Sequence, residues 1–202
     1  MDTPICDFVR NYAEGEPLRF HMPGHKGQGS PLDITEIPGA DVLYRAEGII
    51  AQSRENAAKL FGAAETFYSA EGSSLCIRAM VYLLRLYAAH QGKPLRLAAF
   101  RNAHRTFVIA CAMLDADVQW ISPQKQENLL SCRLTGEELE AQLNAMAEPP
   151  LALYVTSPDY LGQPADLQEL SHICRRPSIH AVTGLCYCVL DTDTGTRLGV
   201  PG

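Results

Sequence analysis

From Leu95 onward, short apolar runs alternate with longer amphipathic stretches. Leu95–Phe100, Asp117–Ile121 and Leu151–Thr156 read as strands, while His104–Leu114, Thr135–Met146 and Asp166–Cys174 carry helical spacing. Thr135-Gly-Glu-Glu138 is a capping-box signature, in which a threonine hydroxyl and a glutamate reciprocally satisfy the first helical amides. Strands alternating with helices of about 10–15 residues predict βαβ units and an α/β fold with a mainly parallel sheet and flanking helices. Ligands of such sheets lie at the carboxyl ends of the strands, so the residues just after each strand are the first candidates for chemistry.

The upstream half is less regular. A short helix is predicted over residues 2–13, followed by a Gly/Pro-rich stretch from Gly15 to Gly39; irregular segments of that length usually serve a function. Ile49, Ile50, Ala57, Leu60 and Phe61 fall on one helical face, and Gly62 supplies a stop. Thr66–Ala70 is β-prone, Gly72-Ser-Ser74 follows, and a helix is predicted from about Leu75 to His90, before Gly92 and Pro94. Three regions result: residues 1–40, 41–176 and 177–202.

Composition narrows the class. The 202 residues are 47% hydrophobic and 20% charged, enough to bury a sizeable core. A net charge of -6, from 17 Lys+Arg against 23 Asp+Glu, argues against a nucleic-acid surface. The most apolar long stretch, Met80–Ala89, carries Arg85 and falls short of the ~18 apolar residues of a membrane span. Met1–Asp7 has neither the basic nor the apolar region of a signal peptide. Seven cysteines, mostly single and in apolar helical contexts, fit reduced thiols and a cytoplasmic location. Cys186-Tyr-Cys188 is too tight for a usual zinc pair, so no metal is expected there.

Four strings could carry chemistry. Glu71-Gly-Ser-Ser74 offers a flexible glycine, two hydroxyls and a helix N-terminus, donors that suit a phosphate; a plain serine cap would look the same. Arg101-Asn-Ala-His104-Arg-Thr106 places a histidine at a strand's carboxyl end, able to stack on a ring or exchange protons, or simply to bond locally. Thr156-Ser-Pro-Asp-Tyr160-Leu-Gly162 brings hydroxyls and a phenol to the same edge, or forms an ordinary turn. Phe20–Gly29 gathers His21, His25 and Lys26 among glycines, without the carboxylate cluster a metal would want.

Taken in order, these strings resemble the major domain of the ornithine/lysine/arginine decarboxylases, pyridoxal 5'-phosphate enzymes of the aspartate-aminotransferase fold (fold type I). The resemblance rests on Arg19–Gly27, Asp33–Gly39 with Asp41, Gly48–Gly62, Glu71–Ser74, Arg101–His104 and Thr156–Tyr160, and runs from about Arg19 to Arg176. It implies that Gly72, Ser73 and Ser74 form the cofactor-phosphate cup, with Ser74 in place of the usual threonine. It implies that His104 stacks on the pyridine ring and that Ser157 and Tyr160 line the pocket. His25 and Lys26 fall in a segment that, in the family, belongs to the active site or a dimer interface. The implied substrate is a basic amino acid, and the implied assembly a homo-oligomer, dimeric or higher.

The resemblance stops where catalysis would be completed. In the family an aspartate pairs with the pyridine nitrogen on the strand after the helix ending near Arg176, and a Schiff-base lysine follows in a Ser-x-His-Lys motif. Here that place reads Pro177–Cys188, with no acidic residue before Asp191. The four lysines, Lys26, Lys59, Lys93 and Lys125, lack the motif's context. Residues 177–202 are therefore expected to be a divergent tail, as after a frameshift or deletion, although Leu190–Gly199 is weakly similar to the family's next segment. The expectation is a truncated family member without decarboxylase activity of its own. The alternatives are a non-catalytic phosphate-binding or interaction module and another fold-type-I activity such as an aminotransferase. A half-built sheet would also expose an apolar edge beside Leu151–Thr156 and promote self-association.

Overall fold

The computed structural model describes residues 2–25, 28–125, 130–175, 179–184 and 189–190. They fall into two compact units that part between Tyr68 and Ser69.

The first unit holds α1 (Pro4–Glu14) and α2 (Ile49–Phe61), joined by the long irregular stretch. Asp41 organises it. Gly48 at the start of α2 has no side chain to cap the helix, and Asp41 takes over that task. Its carboxylate accepts the N–H groups of Val42, Glu47, Gly48 and Ile50 at 2.7–3.2 Å. Burial alone would raise the Asp41 pKa; the four N–H donors outweigh it and hold the carboxyl below its ordinary value. Gly24 is required sterically, because a Cβ there would lie 2.6 Å from the His21 carbonyl oxygen. The β-prone Thr66–Tyr68 forms no strand. Arg54 donates to the Thr66 carbonyl at 2.7 Å and covers the Phe67 ring at 4.1 Å, so α2 satisfies the segment that a sheet was expected to pair.

The second unit is the α/β fold predicted. It runs α3 (Gly72–His90), β1 (Arg96–Phe100), α4 (Arg105–Met113), β2 (Asp117–Ile121), α5 (Gly136–Asn144), β3 (Ala152–Thr156), α6 (Leu167–Arg175), β4 (His180–Gly184) and β5 (Val189–Leu190). The strands lie in the order β2-β1-β3-β4-β5, parallel except for β5. Alternate residues of each strand face opposite sides. Leu97, Ala99 and Tyr154 pack with Ile77, Val81 and Leu84 of α3 and with Phe107 and Ala110 of α4. Ala98, Phe100, Leu153 and Val155 pack with Leu139 and Leu143 of α5 and with Ile173 and Cys174 of α6. Both faces being covered explains why β3 is an unbroken apolar run buried along its whole length.

The sheet edge departs from expectation. β3 is not an exposed edge, because His180–Gly184 pairs with Ala152–Thr156 in parallel register and buried Ile179 joins the core beside α6. Ile179–Thr183 has the small and β-branched composition that a parallel strand uses.

Candidate functional site

Strand order reverses at β1. The chain passes from β1 outward to β2, then crosses back to place β3 on the other side. In open α/β sheets that reversal opens a crevice at the carboxyl ends of the two inner strands, here β1 and β3. Two of the candidate strings lie just there.

α3 runs antiparallel to β1, which brings its N-terminus to the same end of the sheet. Gly72 sits at φ +67°, a left-handed conformation that favours glycine, and a Cβ at that position would meet nothing within 4 Å. Among the described residues no side chain caps α3, so its first amides and the hydroxyls of Ser73 and Ser74 form a donor set suited to an anion. The Ser69 hydroxyl braces the approach, accepting from the Glu71 N–H and donating to the Gly72 carbonyl, both at 3.2 Å.

The N-terminus of α4 meets that of α3. The Ser74 and Thr106 hydroxyls are 3.3 Å apart. His104 is the α4 cap: its Nδ1 accepts the Thr106 N–H at 3.2 Å. That bond places the lone pair of the neutral ring on Nδ1 and its proton on Nε2. Thr106 thus touches both functional neighbours, its amide orienting His104 and its hydroxyl meeting Ser74. Sequence reasoning gave Thr106 no role. The available signal was a hydroxyl residue at the second position of a helix whose cap is the candidate histidine.

The loop after β3 completes the edge. The Ser157 hydroxyl oxygen accepts the Ala165 N–H at 3.0 Å and closes its own loop, its own O–H remaining a donor toward the same edge. Asp159 accepts the N–H groups of Leu161 and Gln163, both at 2.9 Å. Burial works against the charged form of Asp159. Those amides, the Ser131 hydroxyl and the Arg133 charge prevail and keep its pKa below the ordinary carboxylate value. Held in this way, Tyr160 lies nearly parallel to His104, at 20° and 6.5 Å between centroids. Asn102 Oδ1 and Thr156 Oγ1, both buried at the ends of β1 and β3, have no hydrogen-bond partner among the described residues. Cys132 fastens the neighbouring loop by donating to the Ile121 carbonyl; its pKa is raised by burial, although the Arg101 and Asn102 amides pull it down.

His25 lies in the first unit. Its Nε2 is 2.7 Å from Asp33 Oδ2, and both side chains are substantially exposed. Asp33 is one carboxylate rather than a cluster, and no group of three metal-ligating side chains occurs among the described residues. Lys26 lies outside the described residues. No described helix is long and apolar enough to cross a membrane.

Pyridoxal 5'-phosphate fits this edge at one end. The uncapped α3 terminus, its two hydroxyls and the open space at Gly72 suit its phosphate, and His104 with Tyr160 suits its ring. Among the described residues no lysine or carboxylate stands at its covalent end. β4, beside β3, reads His180-Ala-Val-Thr-Gly184 and carries no carboxylate. Lys59 belongs to α2, Lys93 precedes β1 at the amino end of the sheet, and Lys125 follows β2 in an exposed loop.

Comparison with known proteins gives a consistent picture. The family model described as Orn/Lys/Arg decarboxylase, major domain, matches residues 31–182. It begins after the Arg19–Gly27 string and runs beyond Arg176 into β4. An arginine decarboxylase of Bacillus subtilis is 32% identical over 190 residues, covering 85% of this chain and 37% of the relative. One from Halalkalibacterium halodurans is 30% identical over 187 residues, with the same shares covered. The chain thus spans little more than a third of these relatives. Among solved structures, the constitutive lysine decarboxylase of E. coli superposes with a TM-score of 0.60 at 20% identity over 79% of this chain and 25% of that one. Lysine decarboxylase A of Pseudomonas aeruginosa gives 0.57 at 20% identity, over 78% and 24%. At such identity the likeness shows the fold: a partial fold-type-I large domain.

Proposed function

The chain belongs to the Orn/Lys/Arg decarboxylase family, and from that premise we propose that it forms the phosphate-holding and ring-stacking part of a pyridoxal 5'-phosphate-dependent basic amino-acid decarboxylase. The observation that carries the reading is the junction of two helix N-termini through Ser74 and Thr106, with His104 capping one of them. Gly72, Ser73 and Ser74 hold the phosphate, and His104 covers one face of the ring with its proton on Nε2. When bound, the cofactor supplies the electron sink for loss of the substrate carboxylate as CO2. Arginine is the favoured substrate of the family member to which this segment corresponds, in line with the names of its relatives, and the product would feed polyamine synthesis in the cytoplasm. Homo-oligomerisation belongs to the same reading.

By itself the 202-residue chain binds the cofactor without turning over substrate, because no aspartate on β4 and no lysine in a matching context completes the site. The test is a titration of purified chain with pyridoxal 5'-phosphate, together with CO2 release from arginine, lysine and ornithine. Saturable binding that disappears in Ser73→Ala/Ser74→Ala, with no CO2 release, is the expected result. Binding indifferent to those substitutions would sink the phosphate assignment, and CO2 release would sink the inactivity.

A further inference from the structure

We infer that Arg78 is a positioning residue: it holds the Glu71 carboxylate away from the first amides of α3 and so keeps them free for an anion. The inference rests on the cofactor reading above and adds to it a control on anion affinity. Glu71 occupies the cap position of α3, directly before Gly72. The first amides of a helix lack partners and carry partial positive charge, which draws carboxylates. This chain uses carboxylates in that way elsewhere. Asp41 accepts the Gly48 and Ile50 amides at the start of α2, and Glu138 accepts the Thr135 amide at the start of α5. Glu71 makes no such bond among the described residues, although the first turn of α3 has no acidic residue of its own to compete with it. Its Oε2 lies 3.5 Å from Arg78 Nη2 instead.

The placement of Arg78 explains the diversion. Helical side chains lean toward the N-terminus of their helix, so a long one reaches back over the preceding turns. Arg78 Nε donates to the Ser74 carbonyl at 3.3 Å. Because the guanidinium is a rigid fork, that bond also sets where its other donors point, and Nη2 meets Glu71. Without Arg78, Glu71 would be an anion tethered beside the amides, at high effective concentration, and its charge would repel a phosphate arriving there. Paired, its charge is offset and its reach is limited. The two side chains are 42% and 68% exposed, so the control is a screened surface contact worth a few-fold in affinity. The ligand class it favours is a phosphate monoester, whose charge suffers most from a free carboxylate at the same helix end.

Calorimetric titration of the full chain with pyridoxine 5'-phosphate tests this, since that probe has no aldehyde and cannot form imines with surface lysines. Arg78→Gln should weaken binding roughly 3- to 5-fold, the upper part of the range an exposed ion pair supports. Inorganic phosphate, measured by competition, should weaken by the same factor, because the effect falls on the anion. Glu71→Gln alone should weaken neither ligand. In Arg78→Gln/Glu71→Gln, affinity should return to within about 1.5-fold of the unaltered chain, since the carboxylate that Arg78 restrains is gone. A loss of undiminished size in that double variant would overturn the inference, showing that Arg78 acts by its own charge or through folding. Full affinity in Arg78→Gln, alongside loss in Ser73→Ala/Ser74→Ala, would overturn it and leave the cofactor reading standing. No serine-dependent binding by the unaltered chain would overturn both. Should Arg78→Gln fail to fold, Arg78→Met, which keeps an apolar stem against the helix, takes its place under the same criteria.

Discussion

Removing the Thr106 hydroxyl while leaving its amide in place isolates the link between the two helix N-termini. Thr106→Val does this with little change of shape, and the His104 cap survives because it uses the backbone N–H. The bond lost is the half-buried Ser74–Thr106 contact of 3.3 Å. A net neutral hydrogen bond contributes about 0.5–1.5 kcal/mol, and a separation beyond the usual O–H···O range of about 2.5–3.0 Å puts this one in the lower half, about 0.5–1 kcal/mol. For a unit of this size that corresponds to a melting shift of roughly 2–5 °C. Combined with Ser74→Ala in a double-mutant cycle followed by urea unfolding, the coupling energy should match that figure, since directly contacting residues do not add independently. Binding of pyridoxine 5'-phosphate should weaken by roughly 2- to 5-fold as Ser74 loses the partner that fixes its rotamer. Thr106→Ser keeps the hydroxyl and should restore both quantities. Coupling below ~0.2 kcal/mol, or a serine variant indistinguishable from valine, would refute the link.

Phe107 is fully buried against the Tyr154 ring, with Trp120 edge-on at 6.5 Å, so Phe107→Ala should cost about 3–5 kcal/mol in urea unfolding; a loss under ~1.5 kcal/mol would contradict the packing. The Cys111 thiol is pushed up to about 12 by burial. It stays neutral in the folded chain while the unfolded thiol ionises near ~8.5, so its contribution is intact below that pH and is lost progressively as pH rises toward 12; Cys111→Ala should flatten the alkaline fall in the urea midpoint. Asp41 has the opposite sign: its lowered pKa adds stability above the ordinary value of ~3.9 that is lost as pH falls through the folded value. Asp41→Asn should therefore lower α2 helicity near pH 7, read by circular dichroism, and remove part of the acid dependence.

The second unit was legible because its code is local. Leu95–Phe100 and Leu151–Thr156 are apolar runs too short for helices, and Thr135 with Glu138 announces α5, whose capping box forms as read. The misses were interactions at a distance. Thr66–Tyr68 has strand composition, but Arg54, 12 positions earlier in α2, occupies the Thr66 carbonyl and covers the Phe67 ring. Pro177–Cys188 carries no family motif, and only the small and β-branched composition of Ile179–Thr183 marks β4 as a strand. Asp41 was visible as part of a motif, yet its capping of α2 depends on a turn at φ +63° that brings residue 41 back over residues 47–50.

The same division governs the candidate site. Each group that it assembles comes from the residues immediately after β1 and β3 or from the start of α3, and each is fixed by bonds spanning few positions: Thr106 to His104, Asp159 to Leu161 and Gln163, Ser69 to Glu71 and Gly72. Long-range order then has one task, to bring three preformed ends together, and the parallel β1–β3 pairing with the Ser74–Thr106 contact performs it. Phosphate anchoring and ring stacking need only such ends. Covalent attachment and pairing with a pyridine nitrogen need side chains from other elements, and β4 supplies a strand in the sheet without a carboxylate on it. Backbone pairing and site chemistry are therefore separable here: β4 completes the sheet's hydrogen bonding through its amides and carbonyls, which any β-compatible sequence provides.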